Sequence, residues 1–534
     1  MPAYGIGIMP FLSCIKPINL AAVKHLAYAD DIGGGSKLHL IREWWNRIVA
    51  EGPKFGYFPK AEKSWLVVKE GKMEEAKRLF ADTRVNLTTE GRKYLGGHVG
   101  TRVGTDKYVN ELVTEWVEQL EELAKIGMTE PQAAYSGFTS GFKHKLTYFL
   151  RTIPDLREIL KPVDDVIDNK LIPAITERQN ISQDCRKLLS LPVRLGGLGI
   201  PIFSESCSFE YQNSQRKTAQ LKEKILAQTV EYTMDEDVEK EVERTLRKER
   251  DERHENLLKE LREKMSDEEI RGNDVAQMKG ASAWLTALPL KEEGFVLNKR
   301  EFYDALAMRY RWPLKRHPEK YVCGKPFKMD HALSCTNGGY IHRRHDRIRD
   351  LFAGVLKDVA HGVQIEPHLQ PLSGEVLPPG ANVENEARLD VAARGFWQEC
   401  EMAFFDVRIF NPFAKSHMKS NLETAFKHNE TMKKKEYNQR VIQIEHGSFT
   451  PIVLSAMGGF GMETSRFVKR LIEKVAAKKD METSVVANYV RTKISFELIR
   501  SQVACIRGSR SLRAVPMDTN EMEVVECAGR MRSA

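Results

Sequence analysis

The stretch from His25 to Gly35 reads HLAYADDIGGG. Leu26 and Tyr28 alternate with His25 and Ala27, a two-residue period that predicts a strand. Asp30 and Asp31 break the run, and a second strand or loop begins at Ile32. Two adjacent carboxylates therefore sit at the tip of a tight turn. Aspartates before glycine are ordinary turn chemistry, which is one reading. The other reading is chemical. Neighbouring carboxylates repel each other, and a divalent cation offsets that repulsion; their hard oxygens suit Mg²⁺. Phosphoryl transfer uses such clusters to stabilise the attacking and leaving oxygens.

The segments around this hairpin have a definite order. KLHLIREWWNRIVAEG, Lys37 to Gly52, spaces Leu38, Ile41, Trp44, Trp45, Ile48 and Val49 as one helix face and ends on glycine. SWLVVK (Ser64 to Lys69) predicts a strand, and KYLGGHVG (Lys93 to Gly100) a strand running into a glycine turn. From about 108 to 200 the pattern is mostly helical and closes at LPVRLGGLGI, Leu191 to Ile200. Between about 208 and 270 Lys, Glu and Arg take over. This predicts a long solvated helix, either a charged spacer or a coiled coil. Folded patterning resumes near Ala281, and beyond about 508 the polar, irregular sequence predicts a flexible tail.

AYADD resembles the Tyr-x-Asp-Asp motif of reverse transcriptases. The helix after it, GYFPKAEKSWLVVK (Gly56 to Lys69), YLGGHVG (Tyr94 to Gly100) and LPVRLGGLGI resemble, in order, the following palm segment, the primer-grip hairpin and the close of the thumb. The resemblance implies that Asp30 and Asp31 are catalytic polymerase carboxylates, with Asp30 a metal ligand. It also implies fingers and a further catalytic aspartate before the hairpin. Only 27 residues precede Tyr28, and MPAYGIGIMPFLSCIKP looks like the tail of the preceding helix. The expectation is a truncated palm with no polymerase activity of its own.

Composition fits a folded protein with a mild preference for polyanions. The 534 residues carry 82 Lys+Arg against 74 Asp+Glu, a net charge of +8, with 42% hydrophobic residues. Eight cysteines are scattered without a dense framework, which predicts reduced thiols and an intracellular protein. No apolar run approaches the roughly 20 residues that span a bilayer, so no membrane partner is expected.

A second constellation begins at CGKPFKMDHALSC. Cys323, His331 and Cys335 supply three candidate ligands for Zn²⁺, and His342 or His345 in YIHRRHD a fourth. The alternative is three unrelated residues and a surface histidine pair. RRHDRIRDLFAGVLKDVA predicts an amphipathic helix with Ile348, Leu351, Phe352, Val355 and Leu356 on one face. GVQIEP, ARLDVAARG and MAFFDVRIFNP predict three strands. A basic helix containing KKKEYNQRVIQ follows, then a fourth strand, FTPIVLSAMGGFG.

That order, with Asp390 and Asp406 on neighbouring strands, resembles restriction-like nucleases of the PD-(D/E)xK class, and in particular the endonuclease of R2-like non-LTR retrotransposons. The resemblance implies Mg²⁺ held by Asp390 and Asp406, with Glu366 a further candidate. A lysine should serve the attacking water. The slot after Asp406 holds Arg408, which stays protonated, so Lys434 or Lys435 from the basic helix could replace it, and Lys435 is the expected one. Lys433, Lys434 and Arg408 are the expected phosphate contacts. Such elements also carry a zinc knuckle, with a cysteine where this chain has Tyr321, and an aspartate where it has His368. The alternative for the carboxylates is that Asp390 pairs with Arg388 and Asp406 with Arg408.

The expected fold class is α+β multidomain. The boundaries are a partial palm over 1–105, a helical thumb over 106–205 and a charged linker over 206–275. A helical and zinc-knuckle-like segment over 276–345, an α/β nuclease over 346–508 and a tail over 509–534 follow. The expected function is that of a retrotransposon-derived protein acting on DNA and RNA with Mg²⁺, at a nuclear site of action and with no small-molecule cofactor besides metals. The competing expectation is an inactive relic that at most binds nucleic acid.

Overall fold

The computed structural model describes residues 2–15, 23–28, 31–228, 235–370 and 387–508. Asp30 and the expected tail lie outside these residues. The described chain is a mixed α+β protein with several small sheets. No described helix is long and apolar enough to cross a membrane. Its contacts form two units, and neither follows the sequential boundaries expected above. One gathers residues 1–120, 144–166 and 202–252, the other 121–143, 167–201 and 253–534.

In the first unit, β1 (Lys24–Tyr28) and β2 (Asp31–Gly35) pair antiparallel, with Tyr28 opposite Asp31. The glycines of β2 have a packing reason. A Cβ at Gly34 would lie 2.8 Å from the Trp44 ring, and one at Gly33 2.9 Å from the Tyr94 hydroxyl. The helices α1 (Pro2–Cys14) and α2 (Leu38–Glu51) supply the core beside them: Phe11, Ile41, Trp44 and Ile48 bury together with Phe80. β3 (Trp65–Val67) pairs parallel with β4 (Asn86–Thr88), and β5 (Gly91–Tyr94) forms a hairpin with β6 (Gly97–Gly100).

The charged region is not a free spacer. α3 (Phe203–Lys217) starts where the Asp164 carboxylate accepts the N–H groups of Phe203 and Ser204, at 2.8 and 2.9 Å. Its Arg216 and Lys217 pair with Glu249 and Glu243 of α4 (Glu236–Arg262). Leu246, Leu258 and Leu261 of α4 are buried. The correction has a simple cause. Three leucines suffice to dock a helix whose remaining faces are charged, and exposed ion pairs add under about 1 kcal/mol each.

The second unit is tied together by hydrogen bonds across long sequence separations. The Gln132 amide donates to the Phe295 carbonyl (2.9 Å) and accepts the Leu297 N–H (2.6 Å). Tyr135 donates to the Leu198 carbonyl, Tyr303 to that of Ala174 and Tyr310 to that of Gly196. α5 (Asp267–Gln277) and α6 (Lys299–Arg309) both begin in capping boxes, Ser266 with Glu269 and Asn298 with Glu301. On α6, the buried Asp304 carboxylate meets the Arg507 guanidinium.

The sheet of this unit runs β10-β9-β8-β7, where β7 is His361–Ile365, β8 Val391–Arg394, β9 Met402–Phe410 and β10 Ser448–Ser455. β7, β8 and β9 are antiparallel; β10 is parallel to β9. Four long helices accompany this sheet: α7 (Tyr340–Val359), α8 (Leu422–Gln443), α9 (Met462–Lys479) and α10 (Thr483–Arg507). Alternation along β9 sorts its side chains between two helical layers. Phe405 packs on Phe467 of α9, which also meets Phe352 of α7. Phe410 packs on Phe426 of α8, and Phe404 shares a core with Tyr437. Pro451 sits in β10, an edge strand, where a missing N–H costs no ladder bond on the open side.

Candidate active site

The two carboxylates flank the end of a strand pairing. Val391 pairs with Phe405 at the last register position of β8 and β9, and Asp390 and Asp406 are the next residues on either chain segment. The Asp390 N–H donates to the Phe405 carbonyl at 3.1 Å, and the charge of Asp390 acts on Asp406. Asp406 lies on the face of β9 that meets α8, and its side chain is 7% exposed. Lys433 of α8 reaches its Oδ2 at 3.0 Å, and Glu436 flanks the same ammonium at 3.4 Å. The Lys433 ammonium also lies over the Tyr437 ring, 5.2 Å from its centroid.

Electrostatics follow from that burial. Burial pushes Asp406 up to about 7; Lys433 pulls it down, and the charge of Asp390 pushes it up again. For Lys433, burial lowers the pKa, but Asp406 and Glu436 outweigh it and hold the amine above its ordinary value. Lys433 is thus an ammonium at neutral pH. Tyr437 is raised, first by burial and then by Asp406.

Asp390 is held differently. Its Oδ2 accepts the Val407 N–H at 2.6 Å and faces Nε2 of His345 at 3.1 Å. His345 is half-buried on α7, three and seven residues before Ile348 and Phe352, so it shares their inward stripe. Burial lowers its pKa, while the hydrogen bond and charge of Asp390 raise it further, for a net rise.

These contacts correct several sequence expectations. The lysine beside Asp406 is Lys433, whereas Lys435 is exposed. Two residues turn a helix by about 200°, so both cannot face the sheet. Lys434 pairs with Glu463 at 2.9 Å, and Lys433 is enclosed in its ion pair, which leaves Arg408 as the exposed cation of the three expected phosphate contacts. Arg388 reaches Glu366 (3.7 Å), not Asp390. Glu366 is exposed, has φ +54° and is bound by Arg349 as well. Its carboxylate is thereby committed to two arginines. Its N–H donates to the Asp390 carbonyl at 3.0 Å, so its clear role is in the chain path before β8.

Cys323, His331 and Cys335 do come together. Their ligand atoms lie within 4.8 Å of one another, with Cys323 Sγ 3.0 Å from His331 Nε2, and the trio could hold a metal ion. Among the described residues this is the one group of three or more His, Cys or acidic side chains that converges so closely. His345 is not its fourth member, because α7 directs that ring to Asp390; His342 is exposed on the first turn of the same helix. Tyr321 is buried beside the trio, edge-on to His331, and its hydroxyl donates to the Cys505 carbonyl of α10 at 2.9 Å. The phenol thus fills a place in the core. The seven cysteines among the described residues are free.

At the hairpin of the first unit, Asp31 and Tyr28 are exposed, and the charge of Asp31 adds to burial in raising Tyr94. No known protein-family model matches the chain, and no curated protein matches it.

Proposed function

We propose that the second unit is a Mg²⁺-dependent DNA endonuclease of the restriction-like class, in a retrotransposon-derived chain whose first unit carries a reverse-transcriptase-like hairpin. The observation that carries this reading is that Asp390, whose Oδ2 accepts the N–H of the residue after Asp406, acts by its charge on Asp406, which has the Lys433 ammonium 3.0 Å away. The donor set fits the ion: two neighbouring hard carboxylates, one pushed up in pKa first by burial and then by the charge of the other. Mg²⁺ bound there polarises the phosphate and acidifies a water.

The chain's own residues supply the rest. Asp390 and Asp406 bind the cation as carboxylates. Lys433 keeps its proton, so it acts as a positive charge facing the phosphate oxygens that gain charge in the transition state, not as a base. Arg408 lies two residues along β9 from Asp406 and so on the same face, exposed, where it contacts a backbone phosphate. DNA is the substrate, and RNA is the partner of the first unit. Cys323, His331 and Cys335 hold Zn²⁺ through two thiolates and an imidazole.

Nicking of supercoiled plasmid by the full chain tests the reading. We expect Mg²⁺-dependent nicking that Asp390→Asn and Asp406→Asn each reduce by at least about 100-fold, the scale of losing a principal charge-stabilising group. Lys433→Ala should cost more than Lys435→Ala. Equal nicking by wild type and both aspartate variants sinks the proposal.

A further inference from the structure

His345 is not among the residues given a part in the reaction above. We propose that His345 is a positioning residue for Asp390: it holds Oδ2 of that carboxylate in place, so that Oδ1 is the oxygen presented to the cation. The inference rests on the nuclease reading and deepens it.

The hydrogen-bond pattern assigns the imidazole's role. Nε2 of His345 lies 3.1 Å from Asp390 Oδ2 and 3.1 Å from the Val407 carbonyl oxygen. A carbonyl oxygen only accepts, so Nε2 must carry the hydrogen whether the ring is neutral or charged. His345 therefore donates, shared between the carboxylate and the carbonyl. The Val407 N–H donates to the same Oδ2 at 2.6 Å. A carboxylate oxygen offers about two lone-pair directions, and these two donors take both. Oδ1 keeps its full capacity for a metal.

The arrangement also fixes the distance between the two metal-binding strands. Val407 follows Asp406 on β9, and Asp390 immediately precedes β8. One ring from α7 thus touches the carboxylate before β8 and the backbone next to the carboxylate on β9. Its other nitrogen, Nδ1, is 3.6 Å from Asp346 Oδ1 on its own helix. Outer partners of this kind orient ligands, and their loss costs about 10–100-fold in metal affinity.

The test is calorimetric titration of the full chain with Mn²⁺, taking as the site's signal the heat that Asp406→Asn removes. His345→Ala is compared with two variants that preserve polarity and size. His345→Gln sets an amide N–H near the place of Nε2; His345→Asn falls short of it. We expect Ala and Asn to raise the Mn²⁺ midpoint about tenfold or more and Gln to stay within about threefold of wild type. Nicking at saturating Mn²⁺ should recover in the Asn variant, since the defect lies in holding the metal. A midpoint unchanged in His345→Asn, or Gln as weak as Asn, overturns the positioning role while leaving the nuclease reading intact. A wild-type titration with no Asp406-dependent heat overturns both.

Discussion

At the scale of single residues, the proposed site sets a proton against a cation at Asp406. Burial holds that carboxyl up to about 7, so below neutrality it keeps a proton that a metal must displace. Nicking at subsaturating Mg²⁺ should therefore rise with pH through about 7, and the midpoint should move to lower pH as Mg²⁺ is raised. A pH–rate profile at two Mg²⁺ concentrations checks both. The sign for stability is opposite. The folded carboxyl binds a proton more tightly than the unfolded one, so its contribution to stability is lost as pH rises from about 4 to about 7. Strand patterning in the sequence placed Asp390 and Asp406 close to one hairpin, and the structure has Asp390 just before β8 and Asp406 within β9. The identity of the lysine was not legible in the sequence. Three consecutive lysines differ only in helix phase, and the phase of α8 is set by Tyr437 and Phe426 packing on the sheet. His345 was read as a zinc candidate because ligand spacing along a sequence carries no information about the direction of a helix stripe.

At the scale of elements, the sequence placed the strands between His361 and Ser455 well, because apolar and aromatic runs there are bounded by Gly, Pro and Asn. It placed α4 as a helix but misjudged its surroundings, since composition does not show that Leu246, Leu258 and Leu261 are buried. α10 gave no amphipathic signal because it is buried nearly all round, from Val486 to Arg507. Its last residue fixes it. Arg507 and Asp304 have side chains 6% and 2% exposed, and burial raises Asp304 against the pull of that guanidinium. Arg507→Ala leaves a buried carboxylate uncompensated and should cost about 3–5 kcal/mol, read from urea unfolding. Replacing both partners, Asp304→Leu with Arg507→Met, should recover most of the loss. The metal trio belongs to the same scale. Native mass spectrometry should find one Zn²⁺ per chain, and Cys335→Ser should lose it.

At the scale of the whole chain, length and charge were informative about class and silent about organisation. A sequential list of domains follows from reading left to right, whereas contacts assemble the second unit from three separate stretches. Gln132, Tyr135, Ala174 and Gly196 are hydrogen-bond partners of residues beyond 197, and no local pattern announces such pairings. A fragment spanning 276–508, the natural choice from the sequence, should therefore lack a cooperative thermal transition that the full chain shows by circular dichroism. Fragment 121–508 should regain it.

The Asp304–Arg507 pair gives this assembly a timetable. Residues 121–201 leave the ribosome long before Arg507 does, and 306 further residues must be made first. At usual rates of synthesis that is about 15–60 s. Through that interval the early helices of the second unit have no finished core, and for its last 203 residues the carboxylate of α6 has been made without its counter-charge. The unit can close only after Arg507 has been made, which makes α10 the step that commits it to fold.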